Sequence, residues 1–212
     1  MTDVWSERAQ AYRESPEHRK GRDLDLLVEW AEGKTALDVA TGGGHTARRL
    51  REASFEVVTL DPAPGMQADV LAPAEHIPFA DASFDVVACR IAPHHFDDVR
   101  AAIGEMARVA RDLVLIVDNV FLDERAEEAE RVRDPTHVRC YSEDEWRTLL
   151  EDAGLVVEDV LLLDTPVTLE PWLERAGCTG DEAARVGELL AHRIDDGRVT
   201  LTRIAIKARK RG

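Results

Sequence analysis

Three consecutive glycines, Gly42, Gly43 and Gly44, follow the short apolar run Ala36-Leu-Asp-Val-Ala40. No other stretch limits what this chain can fold into so strongly. Glycine takes positive φ without a Cβ penalty and costs entropy inside regular structure, so the backbone turns here. The next apolar run, Glu56-Val-Val-Thr-Leu-Asp61, ends in an acid 19 residues beyond Gly42. A strand, a glycine turn, a helix and a second strand tipped by an acid form the local design that holds a nucleoside. The bare backbone allows close approach, and the acid accepts hydrogen bonds from ribose hydroxyls.

The alternation continues along the chain. Thr35–Ala40, Phe55–Leu60, Phe84–Cys89, Asp112–Val117, Leu155–Leu163 and Val199–Lys207 read as strands. The first four are nearly continuous apolar runs, as in a parallel sheet covered on both faces. Leu24, Leu27, Val28 and Ala31 make one helical stripe stopped by Gly33, and Val99, Ile103, Met106 and Ala110 make another. Ser142-Glu-Asp-Glu145 is a capping box that opens a helix bearing Trp146, Leu149, Leu150 and Ala153, with Gly154 as its stop. Residues 181–194 read as a helix, and the charged residues 122–134 as a solvated helix or lid. The pattern predicts an α/β doubly wound, mostly parallel sheet with helices on both faces. In such sheets ligands sit beyond the carboxyl ends of the strands, where the glycine loop, Asp61 and the residues after Cys89 all fall.

Composition narrows the partners. A chain of 212 residues, 44% hydrophobic, fits one domain with a sizeable core. A net charge of -15, with only Lys20, Lys34, Lys207 and Lys210 as lysines, argues against nucleic acid. Cys89, Cys140 and Cys178 are far apart and form no CxxC, which points to a reduced, cytoplasmic setting rather than disulfides. No apolar run approaches the ~20 residues of a membrane span, and the N-terminus lacks the order of a signal peptide. No His, Cys and Asp set has metal-ligand spacing, so no metal is expected.

The order of these pieces resembles the class I S-adenosylmethionine-dependent methyltransferases, in particular the ubiquinone/menaquinone-biosynthesis-like branch (methyltransferase type 11). Asp38-Val-Ala-Thr-Gly-Gly-Gly44 is similar to the family's first motif and Asp61 to its ribose-binding acid. Ala74-Glu-His-Ile-Pro-Phe79 followed by Ser83-Phe-Asp-Val-Val87 resembles the stretch that passes the adenine. Cys89-Arg-Ile-Ala-Pro-His-His-Phe96 resembles the loop beneath the methyl donor, and Arg133-Asp-Pro-Thr-His-Val-Arg139 with Trp146 a substrate-side segment. The resemblance implies that the α/β sheet is Rossmann-like with a final antiparallel strand. It also implies S-adenosyl-L-methionine as cofactor, S-adenosyl-L-homocysteine as product, and a small-molecule acceptor. It implies cofactor contacts from Asp38, Ala40, Gly42, Gly43, Gly44, Asp61, Met66, Glu75 and Arg90. His94 and His95 become candidate catalytic bases, and Tyr12, His18, His137 and Arg139 candidate acceptor contacts, with His137 and Arg139 suited to an anion. Residues 1–33 would form an arm and helix, 34–120 the donor-binding half and 121–212 the acceptor-side half of a single domain.

Two departures from the family pattern carry expectations. Ala40 stands where relatives carry a glycine, which is tolerable if its φ stays negative. Only residues 62–73, interrupted by Pro62, Pro64 and Pro73, separate Asp61 from the adenine stretch, too few for a crossover helix and strand. The usual third strand and its helix are therefore expected to be missing. The strand ending at Asp61 would then be an open sheet edge that invites a homodimer, the adenine wall would be thin, and either Glu75 or Asp69 could stand at the acidic position. Three further readings stay open: a donor-binding protein without transferase activity; a nicotinamide-dependent oxidoreductase, which shares the glycine loop and acid; and a purely structural or interaction module, for which the three glycines and the acid at one sheet edge would be coincidence.

Overall fold

The computed structural model describes residues 3–211. Three helices lead, α1 (Val4–Glu14), α2 (Pro16–Arg19) and α3 (Arg22–Trp30). There follow β1 (Thr35–Val39), α4 (His45–Glu52), β2 (Glu56–Asp61), β3 (Val70–Leu71), β4 (Phe84–Arg90), α5 (Val99–Val109) and β5 (Ala110–Asn119). The remainder comprises α6 (Glu124–Arg133), α7 (Glu143–Asp152), β6 (Leu155–Thr168), α8 (Leu169–Ala176), α9 (Gly180–Leu189), β7 (Ile194–Asp195) and β8 (Arg198–Lys210). The strands form one sheet in the order β3-β2-β1-β4-β5-β8-β6, with β7 beside β8. The first five are parallel; β8 runs antiparallel to both β5 and β6.

Successive residues of a strand point to opposite faces, so a strand covered twice must be apolar throughout. Leu37, Val87, Val114 and Ile116 pack under Ile103 and Met106 of α5 and Trp146 of α7. Their neighbours Ala36, Val86, Leu113 and Leu115 pack on the other face against Leu24 and Leu27 of α3 and Leu50 of α4. The α3 stripe and the capping box of α7 form as their sequences predict.

Four differences from the sequence reading have physical causes. First, α6 is not a solvated helix: Glu127, Ala129, Glu130 and Arg133 are buried. Its charges are matched inside the protein, Arg133 pairing with Glu130 at 3.0 Å and lying over the Trp172 ring. Ala129 joins a separate core with Trp172, Leu173, Val186 and Leu189 of α8 and α9. Second, the strand expected at Leu155–Leu163 extends to Thr168 and leads into α8, an element the sequence reading lacks. Third, the helix expected over 181–194 ends at Leu189, before a short turn and β7.

Fourth, the third strand is reduced rather than missing. A single 3-10 turn at Pro64–Met66 stands in place of the helix, and the two residues of β3 pair Leu60 with Val70 and Asp61 with Leu71. The outer edge of β2 is closed by side chains. Asp69 accepts hydrogen bonds from the Thr59 N–H at 2.9 Å and the Thr59 hydroxyl at 2.8 Å, and Arg51 donates to the Val57 carbonyl at 2.9 Å. The edge expected to be open to a second copy is thus occupied by the chain itself. Among the described residues no helix is long and apolar enough to cross a membrane.

Candidate active site

The glycine loop leaves β1 and is pinned to β2, the Thr41 N–H donating to the Leu60 carbonyl at 3.0 Å. Asp38 accepts from the Thr41 hydroxyl at 2.6 Å and from the Ala47 N–H at 3.0 Å. It ties the loop to the first turn of α4 and does not line the cavity described below, so its expected cofactor contact is corrected to a brace. Burial pushes its carboxyl up to about 6. Ala40 has φ +51°, against the expectation of a negative value. Gly42 also has positive φ, and a Cβ there would meet nothing within 4 Å. At Gly43 a Cβ would lie 2.8 Å from the Tyr12 carbonyl, so the missing side chain lets α1 approach the loop. Gly44 turns the chain into α4 and lies outside the cavity lining.

Asp61 faces this loop. One carboxylate oxygen accepts from the Gly42 N–H and the other from the Ala63 N–H, each at 3.0 Å. A carboxylate oxygen can accept twice, so each retains a lone pair. Burial raises the Asp61 pKa.

Loop and acid open on a cavity of about 320 Å³. Ala40, Gly42, Gly43, Asp61, Met66, Glu75 and Arg90 line it, as do Tyr12, His18 and His95. Of the two acids expected at the acidic position, Glu75 lines the cavity, whereas Asp69 lies outside the lining and accepts from Thr59. Arg90 is not a free cation: it meets Asp23 at 2.7 Å and donates to the His18 carbonyl at 3.1 Å. Against the upward push of burial, Arg90 and Arg203 hold the Asp23 carboxyl below its usual range. His18 bonds the Ser15 hydroxyl at 2.8 Å, and burial together with Arg175 and Arg90 keeps it neutral.

The two adjacent histidines have different environments. His95 lines the cavity with its Nδ1 3.0 Å from the Thr136 carbonyl. A carbonyl only accepts, so Nδ1 carries the proton and Nε2 the lone pair. Burial, then the neighbouring His94, lowers its pKa to about 3. His94 is fully buried behind the wall and lines no part of the cavity, which removes it from the candidate bases. Its Nδ1 lies 2.5 Å from Asp118 Oδ1; burial draws His94 down to about 3 and Asp118 up to about 7.

His137 and Arg139 are also corrected, since neither reaches the cavity. His137 Nε2 is 2.9 Å from Glu127, and Arg139 pairs with Glu145 and lies over the Tyr141 ring. Their segment serves through its backbone: the Val138 and Arg139 N–H groups donate to the His94 carbonyl, and Thr136 holds His95. The lining also includes residues the sequence reading did not assign to the site, among them Trp5, His45, Phe96 and Asp97. His45 directly follows the glycines, Phe96 ends the loop motif that begins at Cys89, and Asp97 comes next in the chain. Trp5 carries no such signal; it reaches the site because α1 folds over it, its ring edge-on to His95 at 4.7 Å.

Residues 37–117 match the family model described as a methyltransferase domain. The chain is 32% identical over 221 residues to the uncharacterized methyltransferase YcgJ of Bacillus subtilis, covering 92% of this chain and 87% of that one. The crystal structure of YcgJ is similar with a TM-score of 0.80 at 29% identity, covering 90% of this chain and 98% of that chain. A Bacillus halodurans protein is similar with a TM-score of 0.76, also at 29% identity, covering 91% of this chain and all of its own. With the strand order and the glycine loop opposite an acid, these likenesses identify the chain as a member of the class I S-adenosylmethionine-dependent methyltransferase family.

Proposed function

We propose that this enzyme methylates a small acceptor that carries no negative charge, within the cavity between α1 and the glycine loop. The observation that carries this reading is the lining: the open side of Gly42, the Asp61 carboxylate and His95 face one space, with no unpaired cation among the described lining residues. The residues fit an adenosyl group. Gly42 leaves room against the backbone, Asp61 has spare lone pairs for ribose hydroxyls, and Met66 and Glu75 stand on the same wall. When bound, S-adenosylmethionine supplies an electrophilic methyl group on a sulfonium.

The chain's own task is positioning, which can contribute up to ~7–11 kcal/mol in ideal cases. Tyr12 and His18 close the arm side of the cavity, and His95 offers Nε2 to an acceptor O–H or N–H. A ring titrating near 3 is a weak proton sink at neutral pH. His95 therefore orients the nucleophile, and the proton leaves for solvent. Asp61, Glu75 and Asp97 make the wall acidic, while Arg90 is turned to Asp23, which it shares with Arg203. An amine, a neutral hydroxyl or an electron-rich ring carbon suits that field; a carboxylate or phosphate does not. The shortened β3 thins the adenine side, which implies modest donor affinity. Three free, buried cysteines support work in a reducing, cytoplasmic setting.

Calorimetry with S-adenosylhomocysteine tests the donor half: wild type should bind, Asp61→Ala at least about tenfold more weakly, and NAD not at all. A panel of amines, phenols and carboxylates tests the acceptor half. Equal affinity in Asp61→Ala, or turnover confined to carboxylates, would overturn the reading.

A further inference from the structure

Glu127 on α6 and His137 and Cys140 on the segment after it lie outside the cavity lining. Each brings one ligating atom to within 4.8 Å of the others, and all three are buried. We propose that these residues form a second site, unrelated to methyl transfer chemistry, for a late first-row divalent cation, with zinc favoured. The sequence reading found no metal because none of its spacings is a ligand motif; the fold makes the cluster by laying residues 134–140 back along α6.

The donor set is the first argument. Carboxylate, imidazole and thiolate are the ligands of four-coordinate zinc. The carboxylate and thiolate together bring two negative charges, so a bound dication leaves a neutral group, which a buried position tolerates. The thiol proton goes to solvent when the ion binds, and the imidazole ligates in its neutral form. The second argument is independent of the cluster. The Asn119 side-chain oxygen and His137 Nδ1 are buried without a hydrogen-bond partner, each on a residue at most 8% exposed. Asn119 lines, with Glu127 and Cys140, a cavity of about 30 Å³. That volume holds one water, which needs roughly 10–15 Å³ and polar partners. A water there would be the fourth ligand, with the Asn119 oxygen as its acceptor.

Glu127 accepts from the Cys140 N–H at 3.2 Å and faces His137 at 2.9 Å, while Arg131 reaches it from the solvent side at 3.5 Å. The backbone contact fixes the carboxylate as outer partners do in metal sites. An ion would clamp α6 to residues 134–140, whose backbone holds His94 and His95.

Titration of chelator-treated full-length protein with cobalt(II) tests the site. The expected result is one ion per chain with a near-ultraviolet thiolate-to-cobalt band and the visible absorption of four-coordinate cobalt, both displaced by zinc. Cys140→Ser should abolish the thiolate band, His137→Gln should weaken binding by at least about tenfold, and Cys178→Ser should leave both unchanged. Zinc should also raise the thermal midpoint of wild type and not that of Cys140→Ser. Failure of wild type to take up one equivalent overturns the proposal whatever the variants do. So does a thiolate band that survives Cys140→Ser, or one lost in Cys178→Ser.

Discussion

Ala40 holds φ +51° at the mouth of the glycine loop, where a Cβ crowds the following carbonyl at a cost of about 1–2 kcal/mol. Ile91, a β-branched residue at φ +54°, lines the same cavity. Backbone strain of this kind gathers where a wall is shaped for a ligand. Ala40→Gly relieves the strain but frees the unfolded chain, so the net gain should be up to about 1 kcal/mol, or roughly 2–4 °C in thermal midpoint. A lower midpoint would mean that the methyl packs better than it strains. Asp38 gives a second prediction through pH. Its folded pKa of about 6 lies above the unfolded value, so between about pH 4 and pH 6 the folded state holds the extra proton. Stability then falls as pH rises through that window, because the buried carboxylate must ionise. Asp38→Asn keeps an oxygen for the Thr41 hydroxyl and the Ala47 N–H and removes the titration. Relative to wild type, the variant should therefore gain stability from about pH 4.5 to pH 7, as read from urea midpoints; an unchanged difference would show that Asp38 does not titrate there.

The element that closes the site is α1, and it rests on the turn that replaced the missing crossover helix. The Gly65 N–H donates to the Ser6 hydroxyl at 2.7 Å, and Arg13 donates to the Gly65 carbonyl at 2.8 Å. A Cβ on Gly65 would lie 2.5 Å from the Ser6 Cα, a backbone atom with little freedom to move. Gly65→Ala should thus lift α1 while leaving the sheet intact. Faster proteolysis within residues 4–14 and weaker S-adenosylhomocysteine binding, at an unchanged thermal midpoint, would be the signature; protection equal to wild type would place the lid elsewhere. The same region shows what the sequence could and could not reveal. β1, β2, β4 and β5 were legible because strands buried on both faces must be apolar, and the loop because glycine and acid each have a local cause. The stub β3 was hidden because two residues carry no periodicity, and only Asp69 turning back onto Thr59 makes the pairing worthwhile. α6 reads as solvated because its charges, even the local Glu130–Arg133 pair, are buried only by elements distant in sequence, such as the Trp172 ring under Arg133. His94 reads as a site residue because its loop does border the cavity, and His137 because its segment braces that loop from behind, but side-chain direction was set by Asp118 and Glu127, which no local pattern announces.

At the scale of the whole molecule, the histidines on and around the cavity set the response to acid. His18, His45, His94 and His95 are all held below the ordinary imidazole value, chiefly by burial. Below about pH 6.5 the unfolded chain protonates these rings while the folded chain does not, down to about pH 3 for His94 and His95. The unfolded state then binds more protons, so stability must fall as pH falls. Asp38, Asp61 and Asp118 act in the opposite sense, since burial raises all three and the folded state takes their protons first. Four rings against three carboxyls leave a net loss of stability as pH falls between about pH 6.5 and pH 5. Relief of the repulsion behind the -15 net charge does not cancel it, because most exposed carboxylates protonate below about pH 4.5. The thermal midpoint should therefore decline steadily from pH 7 to pH 5. His95→Gln, which keeps a donor for the Thr136 carbonyl, should make that decline shallower. A midpoint that is flat or rises over this range would show that the three carboxyls, rather than the rings, dominate the proton balance of the cavity.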